Sequence, residues 1–238
     1  MSLDFDSARL PNPHLTAEHE KWRTQIRRFF DREVIPFAGD WDEAGQIPDE
    51  LWPKSAAIGI LGLGYPEQYG GVEEGIDIWY KNILNEEMAR IAVGGVSATL
   101  MVHGIALPPL INYASEAIKQ EIVPPVLAGS KRISLAITEP AAGSDVAQLQ
   151  TTARLEGDHY VVNGSKTYIT GGMNANWYTT AVRTGGEGSG GVSALLIPAD
   201  LPGVSRTALN RKQGWWCSDT ATISSSKKVF VREKVLSI

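Results

Sequence analysis

The sequence has one cysteine, no dense block of Lys and Arg, and no apolar run of membrane-spanning length. Cys217 alone cannot form an internal disulfide, which suits a reducing compartment. Lys and Arg total 22 against 27 Asp and Glu, a net charge of -5. The electrostatic footprint of a nucleic-acid binder is therefore missing, and no nucleic-acid partner is expected. A membrane helix needs roughly 20 apolar residues, so no membrane span is expected. The opening MSLDFDSARLPNPHLTAEHE has neither the apolar core of a secretion signal nor the Arg-rich, acid-poor character of a transit peptide. A soluble cytoplasmic protein is the expectation. The four histidines, His14, His19, His103 and His159, show no metal spacing, and no metal is expected.

What is present is an ordinary globular composition, 43% hydrophobic and 21% charged, which implies a packed core. The two halves differ in texture. Up to residue 128 apolar residues recur at helical spacing. Trp22, Ile26, Phe29 and Phe30 line one face of a helix that Thr16 caps and Pro36 ends. A short helix holds Leu51, Trp52 and Ala56, and GILGLGYPEQYGG (59–71) is loop-like. A helix is predicted over 77–92, burying Trp79, Ile83, Met88 and Ile91. Another, apolar all round, is predicted over 96–107. A further helix opens at Ser115 and should stop at Pro124-Pro125.

After Gly129 the pattern becomes strand-like. SLAIT, NWYTTAVRT and GVSALLIPA read as strands, the last two separated by the flexible turn GGEGSGG (185–191). Residues 155–170 read as a hairpin turning at Asn163-Gly164, since Asn-Gly suits a type I′ turn. The expected fold class is α+β, with an all-α domain over 1–130 and an antiparallel, barrel-like β-domain over 131–238.

Two segments could carry chemistry. In LAITEPAAGSDV (135–146) a short strand runs into small residues that let backbone approach a flat ligand, with Thr138 and Ser144 adding hydroxyls. In isolation, an ordinary strand-to-loop exit is the favoured explanation. In KTYITGG (166–172), strand alternation points Tyr168 and Thr170 the same way, an aromatic wall beside a hydroxyl. A Tyr and a Thr on a half-buried sheet are also commonplace. His103 on an apolar helix reads as a core histidine, Glu86 and Glu87 as a solvated face, and Cys217, flanked by Trp215 and Trp216, as buried and inert.

Together, TEPAAGSD, NGSKTYITGG and NWY resemble the middle domain of the acyl-CoA dehydrogenase family, and RKQGWWCSDTA looks like its later signature. The helices, GYPEQYGG and EEMARIAVG fit its amino-terminal domain, so the resemblance covers nearly the whole chain. It implies an FAD site lined by Leu135, Ile137, Thr138, Gly143, Ser144, Tyr168, Ile169 and Thr170, with Tyr where the family often has Trp. It implies that Ser144 also reaches CoA, that Ser97, Leu100 and Met101 wall the acyl pocket, and that Glu139 turns away to cap structure. An acyl-CoA substrate, an electron-transfer flavoprotein as acceptor and a homotetramer in the full-length family follow from the same resemblance.

The sequence departs from the family in two ways. Family members continue into a helical bundle that carries the catalytic glutamate, and no such bundle is present, so no catalytic residue is assigned. The expected chain is an acyl-CoA dehydrogenase truncated before that domain. After SDTATI, SSSKKVFVREKVLSI replaces the family's aromatic, acid and Val-Pro, with Arg232 near the proline's place. Two alternatives stay open: a related flavoenzyme of the acyl-CoA oxidase or nitroalkane oxidase type, or a non-catalytic fragment.

Overall fold

The computed structural model describes residues 6, 9–231 and 234–237, so Arg232 lies outside the described residues. The chain forms two compact units. The first comprises residues 1–100, 127–130 and 213–218, the second 101–126, 131–212 and 219–238.

The first unit is helical. Helix α1 (Ala17–Glu33) starts at Thr16, which accepts the His19 amide while its own amide donates to His19 Nδ1. This reciprocal cap satisfies two donors of the open first turn. The helix ends before Pro36 and buries Ile26, Phe29 and Phe30. Helices α2 (Ala38–Ala44) and α3 (Leu51–Ala57) follow, the latter burying Leu51 and Trp52. Helix α4 (Ile78–Ala89) is capped by Asp77, which accepts the Trp79 amide at 2.9 Å. It stops short of the expected residue 92, where Ala92 takes φ +37°, outside the helical region.

The single helix expected over 96–107 is broken into α5 (Gly94–Leu100) and α6 (His103–Ala106), and α7 (Pro108–Tyr113) follows. Val96, Leu100, Ala106, Leu107 and Leu110 are buried while Ile105 and Tyr113 are exposed, and apolarity all round supplied no capping or periodicity to hold one axis. Helix α8 (Glu116–Leu127) also departs from expectation, since Pro124 and Pro125 lie inside it. Ile122, Val123, Val126 and Leu127 are all buried on either side of the prolines. Their burial outweighs the lost helix donors. No single helix among the described residues is long and apolar enough to cross a membrane.

The second unit is built on one mostly antiparallel sheet. Strands β1 (Ile133–Ala136), β2 (Thr152–Glu156), β3 (His159–Thr170), β4 (Trp177–Arg183), β5 (Val192–Pro198), β6 (Val204–Ala208), β7 (Thr220–Val231) and β8 (Lys234–Ser237) are ordered β6-β7-β3-β2-β4-β5-β8. Strand β1 lies parallel to β4. The core beneath the sheet includes Ala136, Val162, Ile169, Tyr178, Leu195 and Ile223. An α-part followed by a mostly antiparallel sheet is the expected fold class.

The hairpin turn is not at Asn163-Gly164. It falls at Gly157-Asp158, where Glu156 pairs with His159 and Gly157 takes φ +67°. Strand β3 runs straight through Asn163 and Gly164, and the register with β7 slips there by a bulge. The left-handed tolerance of Asn-Gly is used for a bulge instead of a turn. Gly164 has φ +153°, and a Cβ there would lie 2.7 Å from Thr151 Cα. Gly164→Ala is therefore expected to lower stability by about 1–3 kcal/mol, measured by thermal unfolding. An unchanged melting temperature would contradict this packing.

Candidate functional site

Strand β1 delivers Leu135, and the chain beyond it turns back on itself. The Glu139 amide donates to Ala142 O at 2.8 Å and the Ala142 amide to Glu139 O at 3.2 Å. That small turn sends Gly143, Ser144 and Asp145 out into solvent. Asp145 accepts the Ala147 amide, so its carboxylate is committed to its own loop.

Strand β3 brings up the other side. Its register with β7 slips again between Lys166 and Ile169, and Tyr168 takes φ +58°. Simple alternation thus does not govern Tyr168. The bulge turns its ring out of the sheet, 64% exposed, while Ile169 is buried in the core and Thr170 is half-buried. A tyrosine held in the left-handed region carries strain of roughly 1–2 kcal/mol. Strand β3 meets the β1 exit directly, since the Thr167 amide donates to Thr138 O at 2.8 Å.

Among the described residues, the hydroxyls of Thr138, Ser144, Tyr168 and Thr170 make no hydrogen bond within the chain, and neither do the amides of Gly143 and Ser144. An exposed aromatic ring and a set of uncommitted donors thus lie on two segments joined by the Thr167–Thr138 bond. This donor set fits a flat, oxygen-bearing, phosphate-linked group such as FAD. Ile169 and Ile137 differ from the rest. Ile169 faces the main core and Ile137 packs against a smaller one with Leu149, Ala181 and Val192, so only their backbones can face a ligand.

Glu139 turns away to cap backbone amides, as the resemblance implied, but its partner Lys166 beneath this edge was missed by sequence reasoning. Glu139 is buried and its carboxylate accepts from Lys166 Nζ at 2.7 Å, the Gln150 amide at 2.6 Å and the Thr151 amide at 2.9 Å. Lys166 Nζ also donates to Ile137 O at 2.9 Å. Burial by itself would raise the Glu139 pKa, but the Lys166 ammonium and the two amides outweigh it and hold it at about 2. Burial pulls Lys166 below its ordinary value, with Glu139 opposing. The only hint in the sequence was a lysine at a strand position otherwise filled by apolar residues.

Of the other candidates, Ser97 and Leu100 lie on α5 in the first unit, and Met101 follows in the second. Leu100 is buried, Ser97 and Met101 half-buried. His103 and Cys217 are buried. Glu87 corrects its expected place on a solvated face. It is 1% exposed and accepts from Arg27 Nε and Nη2 at 2.8 Å each, from Arg23 at 3.2 Å and from Arg90 at 3.3 Å. Glu86, beside it, is exposed and bonds Arg23 Nη1 at 2.6 Å.

Helices followed by a mostly antiparallel sheet, with an outward aromatic on the same sheet, match the fold expected from the resemblance. The chain belongs to the acyl-CoA dehydrogenase family, matching its N-terminal domain over residues 16–130 and its middle domain over residues 134–227. It is 34% identical over 218 residues to the acyl-CoA dehydrogenase apdG of Emericella nidulans, covering 84% of this chain and 50% of that protein. Its structure is similar to that of a Mycobacterium smegmatis protein designated an acyl-CoA dehydrogenase, with a TM-score of 0.88 and 46% identity over 94% of this chain and 58% of that one. It is also similar to an acyl-CoA dehydrogenase from Bacillus anthracis solved with FAD, with a TM-score of 0.82 and 28% identity over 95% and 40% of the two chains. The chain spans about half the length of the curated relatives it matches.

Proposed function

We propose that this chain supplies the flavin-facing wall of an FAD-dependent acyl-CoA dehydrogenase. Such an enzyme removes a proton from Cα and a hydride from Cβ of an acyl-CoA thioester, leaving trans-2-enoyl-CoA. The observation that carries the reading is the outward-turned Tyr168 on a strand bonded to the β1 exit, with the hydroxyls of Thr138, Ser144 and Thr170 uncommitted on the same two segments.

When bound, FAD supplies the acceptor for the substrate's hydride. The chain's own residues bind and orient. Thr138 and Thr170 offer hydroxyls to ring heteroatoms, and Tyr168 covers the ring and excludes water. Leu135, Ile137, Gly143 and Ile169 contribute backbone. Ser144 offers a hydroxyl and an amide to a phosphate oxygen of FAD or CoA. Ser97, Leu100 and Met101 are proposed for the acyl pocket, an electron-transfer flavoprotein as electron acceptor, and a tetramer as the assembly of the whole enzyme.

Two substitutions test the wall. Thr138→Val removes one hydroxyl at nearly constant shape. Tyr168→Gly removes the ring and relieves the left-handed strain. Each is expected to weaken FAD binding about tenfold, the loss of roughly 1–2 kcal/mol for one contact. Tyr168→Gly should at the same time raise thermal stability by roughly 0.5–1 kcal/mol, because glycine takes φ +58° without penalty. Flavin affinity is read by fluorescence quenching and stability by circular dichroism. FAD affinity unchanged in both variants would remove these residues from the site.

A further inference from the structure

The buried pair beneath the site holds more than its own charge. Lys166 Nζ reaches Ile137 O at 2.9 Å and the Glu139 carboxylate at 2.7 Å, and between them the Thr167 amide reaches Thr138 O at 2.8 Å. Three consecutive residues at the β1 exit are thus tied to two consecutive residues of β3. The same carboxylate accepts the amides of Gln150 and Thr151, where β2 begins. Immediately beyond Thr167 comes Tyr168 at φ +58°, a strained residue whose ring makes no ring contact within the described chain. A strained backbone persists only where its surroundings over-determine it. Here the surroundings are the lysine bonds on one side and the core position of Ile169 on the other.

We propose that Glu139 and Lys166 are positioning residues for the cofactor: they lock the β3 bulge so that Tyr168 stands in fixed register with Thr138. This deepens the flavin reading and rests on it. Neither side chain touches the ligand. The pair sets where the ring of Tyr168 and the hydroxyl of Thr138 stand relative to each other, and a misplacement near 1 Å is enough to lose most of a binding geometry.

The test separates positioning from stability. Lys166→Met leaves Glu139 with its two amide donors but cuts both bonds made by the lysine. The double variant Lys166→Met/Glu139→Gln also removes the charge that the single variant leaves buried. Melting temperature, FAD affinity by flavin fluorescence and hydrogen exchange of the Thr167 amide are measured on each. The double variant is expected to recover most of the melting temperature, yet bind FAD at least tenfold more weakly than the unmutated chain, with the Thr167 amide exchanging at least tenfold faster. A double variant that recovers stability, affinity and Thr167 protection together would overturn the proposal. If the variants do not fold, the unmutated chain still decides. Its Thr167 amide should exchange as slowly as the core amides of β3, and exchange at the rate of loop amides would overturn the clamp. An unmutated chain that binds no flavin sinks the flavin reading alone, because the exchange measurement judges the clamp without ligand.

Discussion

Supplied with FAD, an artificial electron acceptor and straight-chain acyl-CoA thioesters, the 238-residue chain is expected to turn over at least a hundredfold below a typical enzyme rate of about 10 s⁻¹. The reason is the state of its carboxylates. Abstraction of the Cα proton needs a base whose pKa is raised toward that of the activated C–H, and general-base catalysis is worth about 10²–10⁴-fold. Glu139 is the glutamate nearest in sequence to the residues proposed to face the flavin, and Lys166 with two amides holds it at about 2. Glu87 is likewise below its usual value; burial opposes this, and Arg27, Arg23 and Arg90 outweigh it. Both are carboxylates held below their ordinary pKa, and so are weaker bases than a free glutamate. Turnover within tenfold of the typical rate would mean that a base had been overlooked, and Glu139→Gln and Glu87→Gln would locate it.

Glu87→Ala is expected to destabilise the chain by about 3–5 kcal/mol, the usual result of removing one partner from a buried charge cluster. It would leave Arg23, Arg27 and Arg90 facing one another around a cavity, with Arg23 itself buried. For a chain of this length the melting temperature should fall by roughly 6–20 °C. Acid should reproduce the loss reversibly. A carboxylate depressed in the folded state contributes stability that is present above its unfolded pKa and lost as pH falls through the folded one. For Glu139 that window runs from 4.5 down to about 2, and the contribution at stake is about 3 kcal/mol. Stability measured by denaturant titration should therefore decline across that range, and less steeply in Glu139→Gln. A flat profile would contradict the ion-pair geometry.

Much of this could be read from the sequence, for identifiable reasons. Thr16 and Pro36 bracket α1 because capping and proline sterics are local effects. The α-then-β order follows from the change in apolar period after Gly129. What escaped was decided by tertiary contacts. Asn163-Gly164 has the composition of a tight turn, yet close packing against Thr151 and pairing with β7 keep β3 running through it. Pro124 and Pro125 sit inside α8 because their neighbours are buried. Glu87 looked solvated because its arginine partners on α1 lie some sixty residues away in the chain. The segments proposed to face the flavin were legible as motifs, but the bulge that turns Tyr168 outward and the Glu139–Lys166 pair beneath it were not. Each depends on two segments meeting.

The most direct measurement is hydrogen exchange of the folded chain during an FAD titration, with the flavin's fluorescence recorded alongside. Saturable quenching is expected, with new protection confined to residues 135–146 and 166–171. Saturation with protection only in the helical unit, or no change at all in a chain that circular dichroism shows to be folded, would contradict the assignment of this edge to the flavin.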